Sequence, residues 1–412
     1  MSILVDQAAN VVRSFAVHEG SLGIGGIPLP LLVARVGGTP FFAYSRSLIT
    51  RRIAELREAF PPTVRLSYAI KANPMPAVVQ HIASLVDGLD VASAGELKIA
   101  LDTETEASRI SFAGPGKRPH EIARALAAGV VINLESETEL RLVVKTGEEL
   151  GVVPKVVVRV NPDFELRASG MHMGGGSKPF GIDAERVPRV LAELQTLQVS
   201  FEGFQVFWGT QNLNAEAICE AQRRTIDMIV RLGSACQEPI RIANIGGGFG
   251  IPYFAGEKAL NLKRVGVGLR EIGALLEEAM PGAMLVIELG RYIVGEAGIY
   301  VCRVVDRKQS RGKTFLITDG GLHQHLAASG NFGQVVRRNY PVAIGNRMRD
   351  EPTETFDVVG CLCTPIDVLA RDVQLPPTAV GDLVVVFQSG AYARTASPTA
   401  FLSHPEPVEV LV

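Results

Sequence analysis

The chain has 412 residues, enough for a large barrel and a second domain. Hydrophobic residues make up 47% and charged residues 20%, which supplies a sizeable core and excludes general disorder. A formal net charge of −2, from 41 basic and 43 acidic residues, gives no electrostatic footprint for nucleic acid.

In chain order, the opening MSILVDQAANVVRSF has no basic leader and meets Asp6 early, so it does not read as a secretory signal. FFAYSRS (41–47) is a strand expected to close back on a later β domain. Between Val64 and Arg291, eight short apolar runs alternate with helical patterns. The runs are VRLSYAIK (64–71), GLDVAS (88–93), RISFAGPG (109–116), VVINLES (130–136), KVVVRVNP (155–162), GFQVFWG (203–209), RIANIGGG (241–248) and MLVIELGR (284–291). Their Val and Ile content, with little interrupting charge, suits parallel strands covered on both faces. The segments between them, such as PHEIARALAAG and ETELRLVVKTGEEL, place apolar residues three to four apart. Eight such alternations predict a TIM-type (β/α)8 barrel over residues 45–295, with a doubly wound open sheet as the other topology.

From Ala297 onward the texture changes. AGIYVCRVVDRK, KTFLITDGG, TFDVVGCLC, GDLVVVFQSG and PVEVLV are strands separated by Gly/Pro loops. They predict a β domain formed by residues 296–412 together with 1–44. No run of about 18 apolar residues occurs, so no membrane span is expected. Five cysteines (219, 236, 302, 361 and 363) are few and odd in number, which suits reduced thiols in the cytoplasm.

Catalytic groups of such a barrel sit where its strands end. There the sequence places Lys71, Asp90 with Ser93, Arg159 with Asn161, the glycines of 246–250, and Glu288 with Arg291. A lysine closing an apolar strand is partly desolvated, which frees its amine to attack a carbonyl, although it also has the reach to meet solvent. Consecutive glycines after a strand converge N–H groups on an anion, or simply make a turn. Glu288 is placed either to hold a protonated ring nitrogen or to pair with Arg291. Amine, anion loop and carboxylate together match the aldehyde, phosphate and pyridine nitrogen of pyridoxal 5′-phosphate.

YAIKAN around Lys71, VASAGEL (91–97), NIGGGFGIPY (244–253), ELGRYIVGEAG (288–298), CLCTPID (361–367) and FQSGAY (387–392) resemble the fold-type III pyridoxal-phosphate decarboxylases. That family includes diaminopimelate and ornithine decarboxylases, and the resemblance runs from Phe41 to Val412. It implies an alanine racemase-like barrel plus β domain, and a homodimer with active sites shared between subunits. By resemblance, Lys71 bonds the cofactor's aldehyde, and Gly247, Gly248, Arg291 and Tyr392 hold its phosphate. By the same resemblance Glu288 meets the pyridine nitrogen; Asp90, at the end of the second strand, is a further candidate for the cofactor site. Cys363, supplied by the partner subunit, protonates the carbanion left by CO2 loss.

The departures concern the substrate. Phe207 stands where diaminopimelate decarboxylases carry a ring-stacking histidine, and Thr210 replaces a serine. Thr364 is neutral where many relatives have an acidic residue that reads the substrate's far end. Asp367 remains acidic, and Arg337, Arg338 and Tyr340 are candidates to receive a carboxylate or phosphate, or form a solvated basic loop. GTQNLN, GGGFGIPYF and CTP are similar to a biosynthetic-cluster subgroup, some members of which decarboxylate a glutamyl group tethered to an acyl-carrier protein. The glycine-rich stretch 163–183 is a candidate entrance for such an arm, or an ordered βα loop. His323 and His325 read as substrate contacts or surface residues. No second cysteine pair follows Cys361 and Cys363 at ligand spacing, so no metal is expected. The expectation is a cytoplasmic amino-acid decarboxylase acting on a free or carrier-tethered substrate. The rival readings are a racemase on the same barrel and an inactive regulatory homologue.

Overall fold

The computed structural model describes residues 11–164, 174–332, 334 and 336–412, with residues 171 and 172 described by their backbone alone. The chain divides into two compact units: Thr50–Ile251 with Leu260–Tyr292, and Met1–Ile49 with Pro252–Ala259 and Ile293–Val412.

The first unit is a closed barrel of eight parallel strands: β1 (Arg65–Ala69), β2 (Gly88–Val91), β3 (Ile110–Phe112), β4 (Val131–Leu134), β5 (Lys155–Asn161), β6 (Ser200–Val206), β7 (Ile242–Gly247) and β8 (Met284–Leu289). Each strand pairs with the next, β8 pairs with β1, and the β4–β5 pairing completes the ring. The apolar runs therefore bury both faces, one inside the ring and one under helices. Helix starts follow local chemistry. Ser93 accepts the Glu96 N–H at 3.2 Å, while the Glu96 carboxylate accepts the Ala92 N–H at 2.7 Å. Ser136 opens Glu137–Leu150 in the same way. Where the strands begin, a cavity of about 200 Å³ is lined by polar groups that include Ser67, Asp90, Ser111, Asn133 and Asn244.

The second unit is built on a mixed sheet in the order Val342–Ile344, Leu383–Val386, Gly298–Ser310, Lys313–Thr318, Glu354–Val359, Val368–Leu375. Phe41–Tyr44 pairs antiparallel with Gly298–Val301 and parallel with Val408–Leu411, so the early strand closes on this sheet as the sequence predicted. Its core gathers Phe15, Leu22, Phe41, Ile299, Val385 and Phe387. Val368–Leu375 was not among the predicted strands, because Arg371 and Asp372 break its apolar run on the exposed face.

Candidate active site

Three adjacent strands carry the expected groups. Glu288 on β8 stands opposite Gly247 of β7 on one side and Ser67 of β1 on the other. Lys71 follows β1 in the single turn Ile70–Ala72. Gly290 lets β8 pass this turn closely, since a Cβ there would lie 2.8 Å from the Cβ of Ala72. The Lys71 amine lies 5.2 Å from the centre of the Phe207 ring, just past β6. Lys71 is exposed, so the barrel alone does not provide the desolvation that its place after an apolar strand suggested. Burial raises the Glu96 carboxyl above its ordinary range, and the Ala92 N–H and then the Lys71 charge offset part of that rise.

Glu288 is buried and accepts the Asn244 amide at 2.5 Å and the Gln205 amide at 3.2 Å. Neither amide is among the candidate residues that the sequence alone offers. The signal was there: each is a lone amide within an apolar strand, in GFQVF and IANIG. They fix the carboxylate's orientation. Asp90 on β2 is also buried and accepts the Ser111 hydroxyl. Burial, and then the charge of Glu288, hold Asp90 well above the usual carboxylate range.

The glycine loop after β7 is sterically required. Gly246 and Gly248 have φ of 65° and 76°. A Cβ on Gly247 would run into the Glu288 carbonyl, and one on Gly248 into the Gly209 carbonyl. The Gly246 N–H donates to Asn244 Oδ1 at 2.9 Å and the Gly250 N–H to the Asn212 carbonyl at 2.9 Å. The N–H groups of the outer glycines are thus committed to the loop itself. Arg291 opens the short helix Arg291–Val294 directly after β8. Thr210 pairs through its backbone with Met171, whereas residues 165–170 and 173 of the glycine-rich stretch lie outside the described residues.

Other strand-end candidates have structural duties. Arg159 is a buried partner of Glu135 at 2.7 Å, and Ser93 caps its helix.

In the second unit, Cys363 is exposed on a turn and Thr364 is half-buried beside it. Tyr392 holds a φ of 54°. Several expectations here are corrected. Asp367 is not free for substrate: it is 3% exposed, and its two oxygens accept the N–H groups of Leu322 at 2.6 Å and Leu362 at 2.8 Å. Tyr340 is buried against Tyr253, with ring centres 4.8 Å apart, and against His325. Arg337 donates to the Val368 carbonyl, and burial lowers its pKa. Arg338 is exposed but covers the Phe254 ring at 3.8 Å and meets Glu257 at 3.1 Å. His323 and His325 are both fully buried, not surface residues. Burial pushes His325 down to about 3, and its ring nitrogen meets the Ser389 hydroxyl at 2.9 Å.

The barrel's groups fit pyridoxal phosphate on their own geometry. An amine lies over an aromatic face, an oriented buried carboxylate sits on the neighbouring strand, and a loop that tolerates no side chain lies at the end of the strand after that. The comparisons agree. Residues 46–295 match the family described as pyridoxal-dependent decarboxylase, pyridoxal binding domain. The chain is 36% identical to the L-glutamyl-[BtrI acyl-carrier protein] decarboxylase of Niallia circulans, over 90% of this chain and 88% of that one. It is 33% identical to the diaminopimelate decarboxylase of Archaeoglobus fulgidus, over 97% and 93%. The crystal structure of diaminopimelate decarboxylase from M. jannaschii superposes with a TM-score of 0.88 at 25% identity, covering 98% and 93%. A matched pyridoxal-binding barrel and near-complete coverage of its relatives place this chain in the family of pyridoxal-dependent amino-acid decarboxylases.

Proposed function

We propose that the chain releases CO2 from the α-carbon of an amino acid carried on an acyl-carrier protein, and that it works as a homodimer whose copies complete each other's sites. The observation that carries the carrier-bound reading is Asp367. With Thr364 neutral and both Asp367 oxygens engaged by backbone N–H groups, the segment after Cys363 offers no free carboxylate to a distal ammonium. A tethered substrate needs none. The similarity to a glutamyl-carrier decarboxylase supports the same reading.

Pyridoxal phosphate, when bound, would supply a pyridinium as the electron sink for CO2 loss. Lys71 would bind the aldehyde, and Phe207, whose ring centre lies 5.2 Å from that amine, is placed to stack on an aromatic ligand. Glu288, oriented by Asn244 and Gln205, holds the proton on the pyridine nitrogen. Gly247 and Gly248, with Arg291 at the start of the next helix, would hold the phosphate. Cys363 of a second copy delivers a proton to the α-carbon.

The test is to incubate the holoenzyme with free diaminopimelate, lysine, ornithine and glutamate, and with glutamyl-loaded carrier protein, following CO2 loss by intact mass. Loss confined to the carrier-linked amino acid supports the proposal. Faster turnover of a free diamino acid replaces it with a free-substrate decarboxylase. An inverted α-carbon with no CO2 loss replaces it with a racemase. Mixing Lys71→Ala with Cys363→Ala protein tests the shared site: recovered activity supports it, and none refutes it.

A further inference from the structure

Besides the barrel mouth, one cluster of metal-ligating side chains stands out in the second unit. His323, Cys361 and His404 place one ligand atom each within 4.8 Å of one another. The Cys361 sulfur is 3.9 Å from the ring Nε2 of His404, and the His323 and His404 rings are 5.1 Å apart, centre to centre. Zinc bonds of about 2.3 Å to sulfur and about 2.0 Å to nitrogen set tetrahedral donors about 3.5 Å apart. The three side chains therefore need only a small inward movement.

A second observation points to a ligand. His323 is fully buried, yet neither ring nitrogen has a hydrogen-bond partner. A buried imidazole is normally satisfied at one nitrogen at least.

The three segments are also held in place from outside. Asp367 accepts the N–H of Leu322, one residue before His323, and the N–H of Leu362, one residue after Cys361. The Gln324 amide donates to the Pro405 carbonyl at 3.1 Å, tying the segment after His323 to the one after His404. Residues 402 and 403, just before His404, both take φ near the left-handed region, at 55° and 58°.

We infer that His323, Cys361 and His404 bind one divalent transition-metal ion, zinc by donor preference, with water in the fourth position. Cys361 gives up its thiol proton to solvent as it ligates. One thiolate with two imidazoles suits a borderline-soft cation and not magnesium or calcium. The ion's role is structural: it locks the turn that carries Cys363, two residues beyond the ligating thiol.

The test uses the tag-free holoenzyme, since a histidine tag binds zinc itself. Chelator-treated protein is dialysed against micromolar zinc and its metal content measured. The expected result is one equivalent retained, a higher unfolding midpoint with zinc, and loss of both effects in Cys361→Ser and in His404→Gln. Cobalt in place of zinc gives tetrahedral thiolate bands in the red, clear of vitamin B6 absorption. No retained equivalent in the wild type overturns the assignment, whether or not the variants fold. So does uptake that is equal in the wild type and both variants.

Discussion

Asp90 and Glu288 meet inside the barrel, and burial together with the Glu288 charge keeps the Asp90 carboxyl protonated far beyond its ordinary range. The folded barrel thus holds a proton that the unfolded chain surrenders above about pH 4. Stability from this group is complete below that pH and is lost as pH rises through Asp90's raised range. Asp90→Asn keeps a neutral polar side chain and removes the linkage. Cofactor-free variant and wild type should unfold alike in denaturant near pH 4, with the variant progressively the more stable towards pH 8. A variant curve parallel to the wild type would contradict the shared-proton picture.

Glu288→Gln keeps the shape and one of the two acceptors that Asn244 and Gln205 donate to, but removes the charge. Turnover should fall about 100-fold, the scale of one oriented electrostatic contact, while the cofactor still binds. The same change should flatten the pH dependence assigned to Asp90, because its second raising influence is gone.

Lys71→Ala should abolish turnover and the long-wave absorption of the bound cofactor. It should leave apoprotein stability within about 0.5 kcal/mol, because Lys71 is exposed. Cys363→Ala should behave differently: turnover falls by about 10² to 10⁴, as for a lost general acid, and the cofactor spectrum persists. Equal loss of spectrum and turnover in the Cys363 variant would remove its proton-transfer role.

Asp367→Ala strands two N–H groups, those of Leu322 and Leu362. Urea unfolding should show a loss of about 2–4 kcal/mol with an unchanged slope. Asp367→Asn, which keeps one acceptor, should lose less. A neutral Asp367→Ala would reopen this carboxylate as a substrate contact.

The eight barrel strands were legible because each is an apolar run closed by a turn, and buried parallel strands leave that mark in any sequence. The sixth began three residues earlier than read, at Ser200, because Gly203 (φ 143°) sits at a shift in register that masks the pattern. Lys71, Glu288 and the glycine loop were legible from their strand-end positions. Asp90 facing Glu288 was legible only as two separate carboxylates, since their meeting depends on packing across the ring. Asp367, Tyr340 and Arg337 were misread for a related reason. Sequence shows that a residue is polar, but not that Leu322 and Leu362 engage Asp367, that Val368 accepts from Arg337, or that Tyr340 is buried against Tyr253 and His325.

Because β4 pairs with β5, the ring of eight strands closes, and the sheet's edge is only the two-residue strand Ile182–Asp183, too short for another chain to extend. Removing any one strand would bare two margins at once, each a row of unmatched amide and carbonyl groups. Deletions inside Thr50–Ile251 should therefore lead to fibrous or amorphous association, whereas cuts in the loops between helix and strand leave the hoop whole.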